Sequence, residues 1–121
     1  MKHASAFLAL VNEVMPRIRE IGPEETITMR ERGEAFALID VREDGEWAAG
    51  HIDGAVHIGK GVIERDIENA VPDKSAKLVL YCGGGYRSAL AADALQKMGY
   101  TNVYSLAEGW KGWVARGLPR T

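Results

Sequence analysis

The stretch LVLYCGGGYRSALAADALQKMG, Leu78 to Gly99, sets a short apolar run against three glycines and an amphipathic segment, with the chain's only cysteine at the junction. Lys77–Cys82 shows no apolar/polar alternation, which predicts a strand buried on both faces. Leu90, Ala91, Ala94, Leu95 and Met98 then form one stripe at helical spacing, ended by Gly99. A strand that turns through glycines into a helix is a unit of an open α/β sheet, where ligands sit beyond the carboxyl ends of the strands. Cys82 lies at such an end.

The same pattern extends in both directions. AFALIDV (35–41) reads as another doubly buried strand, GAVHI (54–58) and NVYSL (102–106) as further short strands, and GVIERDIENAV (61–71) as a helix stopped by Pro72. EGWKGWVARG (108–117) reads as a last helix. In IGPEETITMRERG (21–33), Pro23 suits the first position of a short helix, Glu24 and Glu25 suit its positive end, and Gly33 closes it. Near the amino terminus, Phe7, Leu10, Val11, Val14 and Ile18 share one helical face, with a break expected at Pro16. The expected fold is α/β: a central parallel sheet of about five strands, helices on both faces, and an extra amino-terminal helix.

The totals narrow the function. A chain of 121 residues is one domain. Fifteen Lys and Arg against seventeen Asp and Glu, for a net charge of -2, leave no basic footprint, so nucleic acid is not an expected partner. No segment is apolar for long enough to span a membrane. The lysine and apolar run in MKHASAFLALVNEV are too short, and too soon followed by Asn12 and Glu13, for a secretory signal. One cysteine makes no internal disulfide and no four-cysteine zinc site, and His3, His51 and His57 form no helical ligand pair. The expectation is a cytoplasmic protein without metal or cofactor.

The glycines explain the cysteine. A strand-to-helix turn leaves amide N–H groups unpaired at the helix start, and if they converge they form an anion-binding nest reinforced by the helix dipole. Gly83, Gly84 and Gly85 allow such a loop, and Cys82 at its mouth gains a stabilised thiolate. Arg87 supplies a cation with a planar fork, and Ser88 a hydroxyl suited to capping the first turn. A free cysteine alone is most often a small core residue, and glycines alone are punctuation. Packing does not require Cys, three Gly and Arg together in one turn.

These residues resemble the active-site loop of the rhodanese-type sulfurtransferases, C-x-x-G-x-R followed by a small residue. LIDVRE (38–43), EWAAGHIDGAVHI (46–58) and VYSLAEGWKGWVARGLP (103–119) are similar to three further motifs of that family, in the family's order. The resemblance implies a rhodanese-like domain over 21–121, preceded by a helical extension over 1–20. It implies a Cys82 persulfide as the catalytic intermediate, with Gly83, Gly84, Gly85, Tyr86, Arg87 and Ser88 as the substrate-binding loop. The implied partners are a small-molecule sulfur donor, a cyanide or thiol acceptor, and a sulfur-relay protein. Two departures stand out: Glu108 replaces the first of two expected glycines, and the loop lacks the basic side chains that often follow the cysteine in thiosulfate-preferring members. Four residues separate Cys82 from Arg87, whereas related phosphatases use a longer spacing. Phosphatase or arsenate reductase chemistry is therefore the weaker alternative to transfer, and a persulfide carrier module the stronger one.

Supporting roles are expected for Asp40, Arg42, Glu46 and His51. Arg42 is expected to pair with Glu46 and pin the loop, and His51 to hydrogen-bond near a turn, since attack on sulfane sulfur needs no general base. Tyr86 is expected to shape the entrance, Lys60 and Arg65 to add positive potential near it, and Trp47, Trp110 and Trp113 to anchor helices.

Overall fold

A computed structural model describes residues 3–121; Met1 and Lys2, where the expected 1–20 extension begins, lie outside the described residues. Helix α1 (Ser5–Val14) runs through a single 3-10 turn (Met15–Arg17) into β1 (Arg19–Ile21). There follow α2 (Pro23–Glu31), β2 (Ala37–Asp40), α3 (Asp44–Ala48), β3 (Val56–His57) and α4 (Ile63–Ala70). The chain ends with β4 (Leu78–Tyr81), α5 (Tyr86–Lys97), β5 (Val103–Leu106) and α6 (Gly109–Ala115). The strands form one parallel sheet in the order β1-β5-β4-β2-β3. β4 is therefore central, and Cys82 is the next residue after it.

The period of the strands divides the core. Leu78, Leu80 and Cys82 face one layer with Ile39, Ile63, Ile67, Leu95, Val14 of α1 and Ile18 just after the 3-10 turn; Val79 and Tyr81 face the other with Met29, Leu38 and Trp113. A strand that alternates between two apolar layers needs apolar side chains at every position, which is why no alternation is visible in LVLY. Trp113 is fully buried and anchors α6, its indole N–H donating to the Pro119 carbonyl at 2.8 Å.

Two elements were not legible in the sequence. β1 is three residues long with two exposed, and its pairing is with β5, Arg19 beside Tyr104 and Ile21 beside Leu106. It also straddles the 20/21 boundary. α3 is a single turn in which the Glu43 amide donates to Glu46 Oε1 at 3.0 Å. Among the described residues, no helix is long and apolar enough to cross a membrane.

The amino-terminal helix departs from its expected face. Val11, Val14 and Ile18 are buried and Phe7 is half-buried, but Leu10 is 55% exposed. The helix packs on α5 along a narrow stripe and is fastened at its end. The Arg17 guanidinium donates to both oxygens of Asp93 at 3.0 Å, and Gln96 donates to the Arg17 carbonyl at 2.9 Å. α5 is thereby covered by the sheet on one side and α1 on the other, so burial extends to Ser88, Ala89, Ala92 and Asp93 beyond the expected stripe.

A buried ion pair holds the end of β2. Arg42 does not pair with Glu46; it donates to Asp40, Nη2 to Oδ2 at 2.8 Å and Nε to Oδ1 at 3.0 Å. Asp40, two residues earlier at the end of β2, is fully buried, and Nη2 also donates to the Gly50 carbonyl at 2.7 Å. The guanidinium lies 4.7 Å from the Trp110 ring centroid, tying β2 to α6. Replacing Asp40 by Ala leaves a buried unpaired guanidinium, and the urea unfolding free energy should fall by about 3–5 kcal/mol. Asp40→Asn should lose less.

Candidate active site

Cys82 ends the central strand and α5 starts at Tyr86, so the turn has very few residues in which to reverse its polar groups. Gly85 resolves the turn in a left-handed conformation, φ 105°, which a side chain would disfavour. Its N–H points back to Cys82 Sγ at 3.1 Å. The Ser88 hydroxyl stands 3.5 Å from the same sulfur and 2.8 Å from Ser105 Oγ. Ser88 does not cap α5 as the sequence suggested, for its hydroxyl is committed to these two partners.

Cys82 is almost fully buried, and burial by itself pushes the thiol up. The Ser88 hydroxyl and the amides of Ser88, Gly84 and Gly85 outweigh it, so the thiol lies below its ordinary value. Helix α6 sets this geometry. The Trp110 amide donates to the Cys82 carbonyl at 2.8 Å and the Lys111 amide to the Gly83 carbonyl at 3.0 Å. Because a trans peptide unit holds its C=O and N–H in opposite directions, a Gly83 carbonyl drawn to α6 turns the Gly84 N–H away from it. The approach is so close that a side chain at Gly109, itself at φ 51°, would collide with the Cys82 carbonyl oxygen. Glu108 adopts φ 64°, where a glycine was expected. The left-handed backbone costs such a residue about 1–2 kcal/mol, while the Glu108 carboxylate accepts two bonds from Arg116, at 2.8 and 3.2 Å.

Arg87 is positioned by a carboxylate. Its Nη1 and Nη2 donate to the two oxygens of Glu46 at 2.7 and 3.1 Å, which lowers the Glu46 carboxyl to about 2. Arg87 is in turn raised by this bond, with the Cys82 charge contributing. The partner expected for Arg42 is thus the partner of Arg87.

The sulfur lies at the base of a cleft of about 730 Å³. Gly83, Gly84, Tyr86, Arg87, Glu46 and Lys111 line it with Cys82. His3 and Phe7 line it as well, tilted against Tyr86 with ring centroids 5.0 and 6.3 Å away. Lys60 and Arg65 do not line the cleft; Arg65 is exposed and paired with Asp66. His51 also lies outside it, Nδ1 bonding the Trp47 carbonyl at 3.1 Å with the two rings stacked at 3.5 Å. Sequence reasoning missed Ser105, Lys111, His3 and Phe7 as site residues. A serine in the middle of the buried run VYSL was the one available signal.

The rhodanese-like domain profile matches residues 22–116. Thiosulfate sulfurtransferase GlpE of Pseudomonas entomophila is 34% identical over 99 residues, covering 82% of this chain and 87% of its own length. A putative sulfur carrier protein, YrkF of Bacillus subtilis, is 29% identical over 99 residues, covering 82% of this chain and 52% of its own. Among solved structures, a Rhodopseudomonas palustris protein of unknown function, described as a possible tyrosine phosphatase, superposes with a TM-score of 0.87 at 26% identity. That superposition covers 98% of this chain and 96% of the other, so it includes the amino-terminal helix.

Two measurements check the electrostatics. Thiolate absorbance against pH, with Cys82→Ser as blank, should give a midpoint below the ordinary thiol value of about 8.5, and Ser88→Ala should move it upward. Glu46 has a depressed carboxyl, so its pairing stabilises the fold above pH about 4.5 and is lost as the pH falls towards about 2. The urea midpoint of the wild type should therefore drop more steeply across that window than that of Glu46→Gln.

Proposed function

The chain belongs to the rhodanese-like family of sulfurtransferases and sulfur carriers, and from that premise we propose that it moves a sulfane sulfur from a donor such as thiosulfate to cyanide or a cellular thiol through a persulfide on Cys82. The observation that carries this reading is the sulfur itself. It is a thiol below its ordinary value, met by the Gly85 N–H at 3.1 Å, at the base of a cleft wide enough for a small donor.

The steps follow from thiol chemistry. The Cys82 thiolate attacks the outer sulfur of thiosulfate; the new S–S bond forms as the old one breaks, and sulfite leaves with its electron pair. The persulfide anion then remains on the enzyme as a covalent intermediate. Amides of Gly84, Gly85 and Ser88 hold the negative charge on the sulfur, as donors aimed at a developing anion do elsewhere. The acceptor attacks the outer sulfur, and the Cys82 thiolate is released as leaving group. Ser88 orients towards the sulfur through Ser105, and Arg87, fixed by Glu46, lends positive charge to the loop. Asp40, Arg42 and His51 act only through the position of the surrounding backbone. Chemistry run on one unpaired thiolate suits a reducing compartment such as the cytoplasm.

A carrier role is the second reading, supported by the likeness to the Bacillus protein. Here the same persulfide would be loaded and unloaded by partner proteins. Thiocyanate formation from thiosulfate and cyanide, with Cys82→Ser beside it, separates the readings. An enzyme should turn over many times with the wild type and lose activity by at least about a thousandfold in the variant, the scale of removing a nucleophile. A carrier should gain one sulfur atom by intact mass and turn over slowly. Equal rates for both chains would reject transfer through Cys82, and phosphatase chemistry would appear as Cys82-dependent hydrolysis of a phenyl phosphate.

A further inference from the structure

The cleft above Cys82 is built in part by residues that precede the rhodanese-like region. His3 and Phe7 stand before its first matched position, residue 22, yet both line the cleft and both contact Tyr86 of the catalytic loop. His3 also sits 5.4 Å from Phe7, ring centroid to centroid, so the three rings form one cluster. The position of the cluster is set by the α1–α5 contact and by the two bonds from Arg17 to Asp93. Tyr86 remains 38% exposed and Phe7 half-buried, so the cluster keeps apolar surface facing the cleft.

The charges in the same cleft are few. Arg87 is already matched by Glu46 at 2.7 Å, and the thiolate of Cys82 adds a negative charge. Lys111, exposed on α6, is the lining cation that has no carboxylate partner among the described residues. Such a cleft offers a single unmatched positive charge and an aromatic wall. A dianion such as thiosulfate leaves one of its charges unmatched there and has no apolar body to lay against the rings.

We infer that this site takes a monoanionic organic sulfane-sulfur donor, one whose outer sulfur is attached to an apolar and preferably aromatic body, and that Phe7 and His3 of the amino-terminal segment are its specificity-determining residues. The inference rests on the transfer reading above. For a thiosulfonate, the Cys82 thiolate attacks the sulfane sulfur, the bond from that sulfur to the sulfonyl sulfur breaks, and an organic sulfinate leaves with the electron pair. The charge balances, two negative charges before and two after. The organic group lies against the rings while the anionic end is held by Lys111 and the loop amides.

The test uses three donors that share a reacting sulfur: thiosulfate, methanethiosulfonate and benzenethiosulfonate. Loading of Cys82 is followed by intact mass and by kcat/KM with cyanide as acceptor. Intrinsic reactivity is removed by dividing each rate by that of the same donor with a small free thiol. The corrected ratio of benzene to methane donor should exceed one in the wild type. It should fall by about two- to tenfold in Phe7→Ala, the span expected for one aromatic contact, and be partly restored in Phe7→Leu. Leu10→Ala, on the outer face of the same helix, should leave the ratio unchanged. Lys111→Ala should weaken all three donors. Circular dichroism and urea unfolding confirm that each variant is folded, and His3→Ala serves as a second probe of the wall if Phe7→Ala is not. A ratio of one in the wild type, or the same ratio with both wall variants, overturns the inference while leaving transfer intact. Absence of persulfide with every donor would overturn the transfer reading itself.

Discussion

The peptide units after Cys82 face two ways, and the site depends on that. The Cys82 and Gly83 carbonyls are taken by the first amides of α6, at 2.8 and 3.0 Å, and this leaves the N–H groups of the turn to the sulfur. A helix start has amides without intrahelical partners; here they meet carbonyls that a tight turn would otherwise leave bare. The same bonds make α6 part of the candidate site without placing any of its side chains on the sulfur. Gly109 is required because the two backbones are too close for a Cβ, and Trp113, buried beneath, fixes the distance.

Positive charge near the sulfur is similarly second-hand. Arg87 is held by Glu46, which comes from a single-turn helix after β2, and Arg42 is held by Asp40 at the end of β2 itself. The two arginines serve different purposes. Arg42, buried between Asp40 and the Trp110 ring, joins strand to helix; Arg87, a third exposed, remains at the mouth of the cleft. Pairing Arg42 with Glu46, the expectation from sequence, would leave Asp40 buried without a cation and Arg87 without a fixed direction.

The amino-terminal helix shows how a segment that precedes the matched region reaches the Cys82 turn. One narrow apolar stripe and one salt bridge to Asp93 seat it on α5. Since α5 begins at the Cys82 turn, a helix lying along α5 brings its own first residues to that turn. Leu10 is exposed for the same reason: the contact is too narrow to cover the whole apolar face.

Much of the fold was present in local pattern. Four strands, the α5 stripe and the glycine turn were legible because doubly buried strands and helical stripes leave period signals, and the Cys82-to-Ser88 turn was legible because its composition serves no packing purpose. β1 was not, because a three-residue edge strand is specified by its β5 partner and not by its own residues. Lys111, His3 and Phe7 sit far from Cys82 in sequence, and nothing in their neighbours marks them, while Ser105 is marked only by its place in the apolar run VYSL. The sequence by itself determined where the chain's one thiol would stand and which backbone would surround it, since both are properties of one continuous stretch. Only the tertiary structure decided which carboxylate holds which arginine and what walls the cleft, because those contacts join segments whose separation along the chain carries no periodic signal.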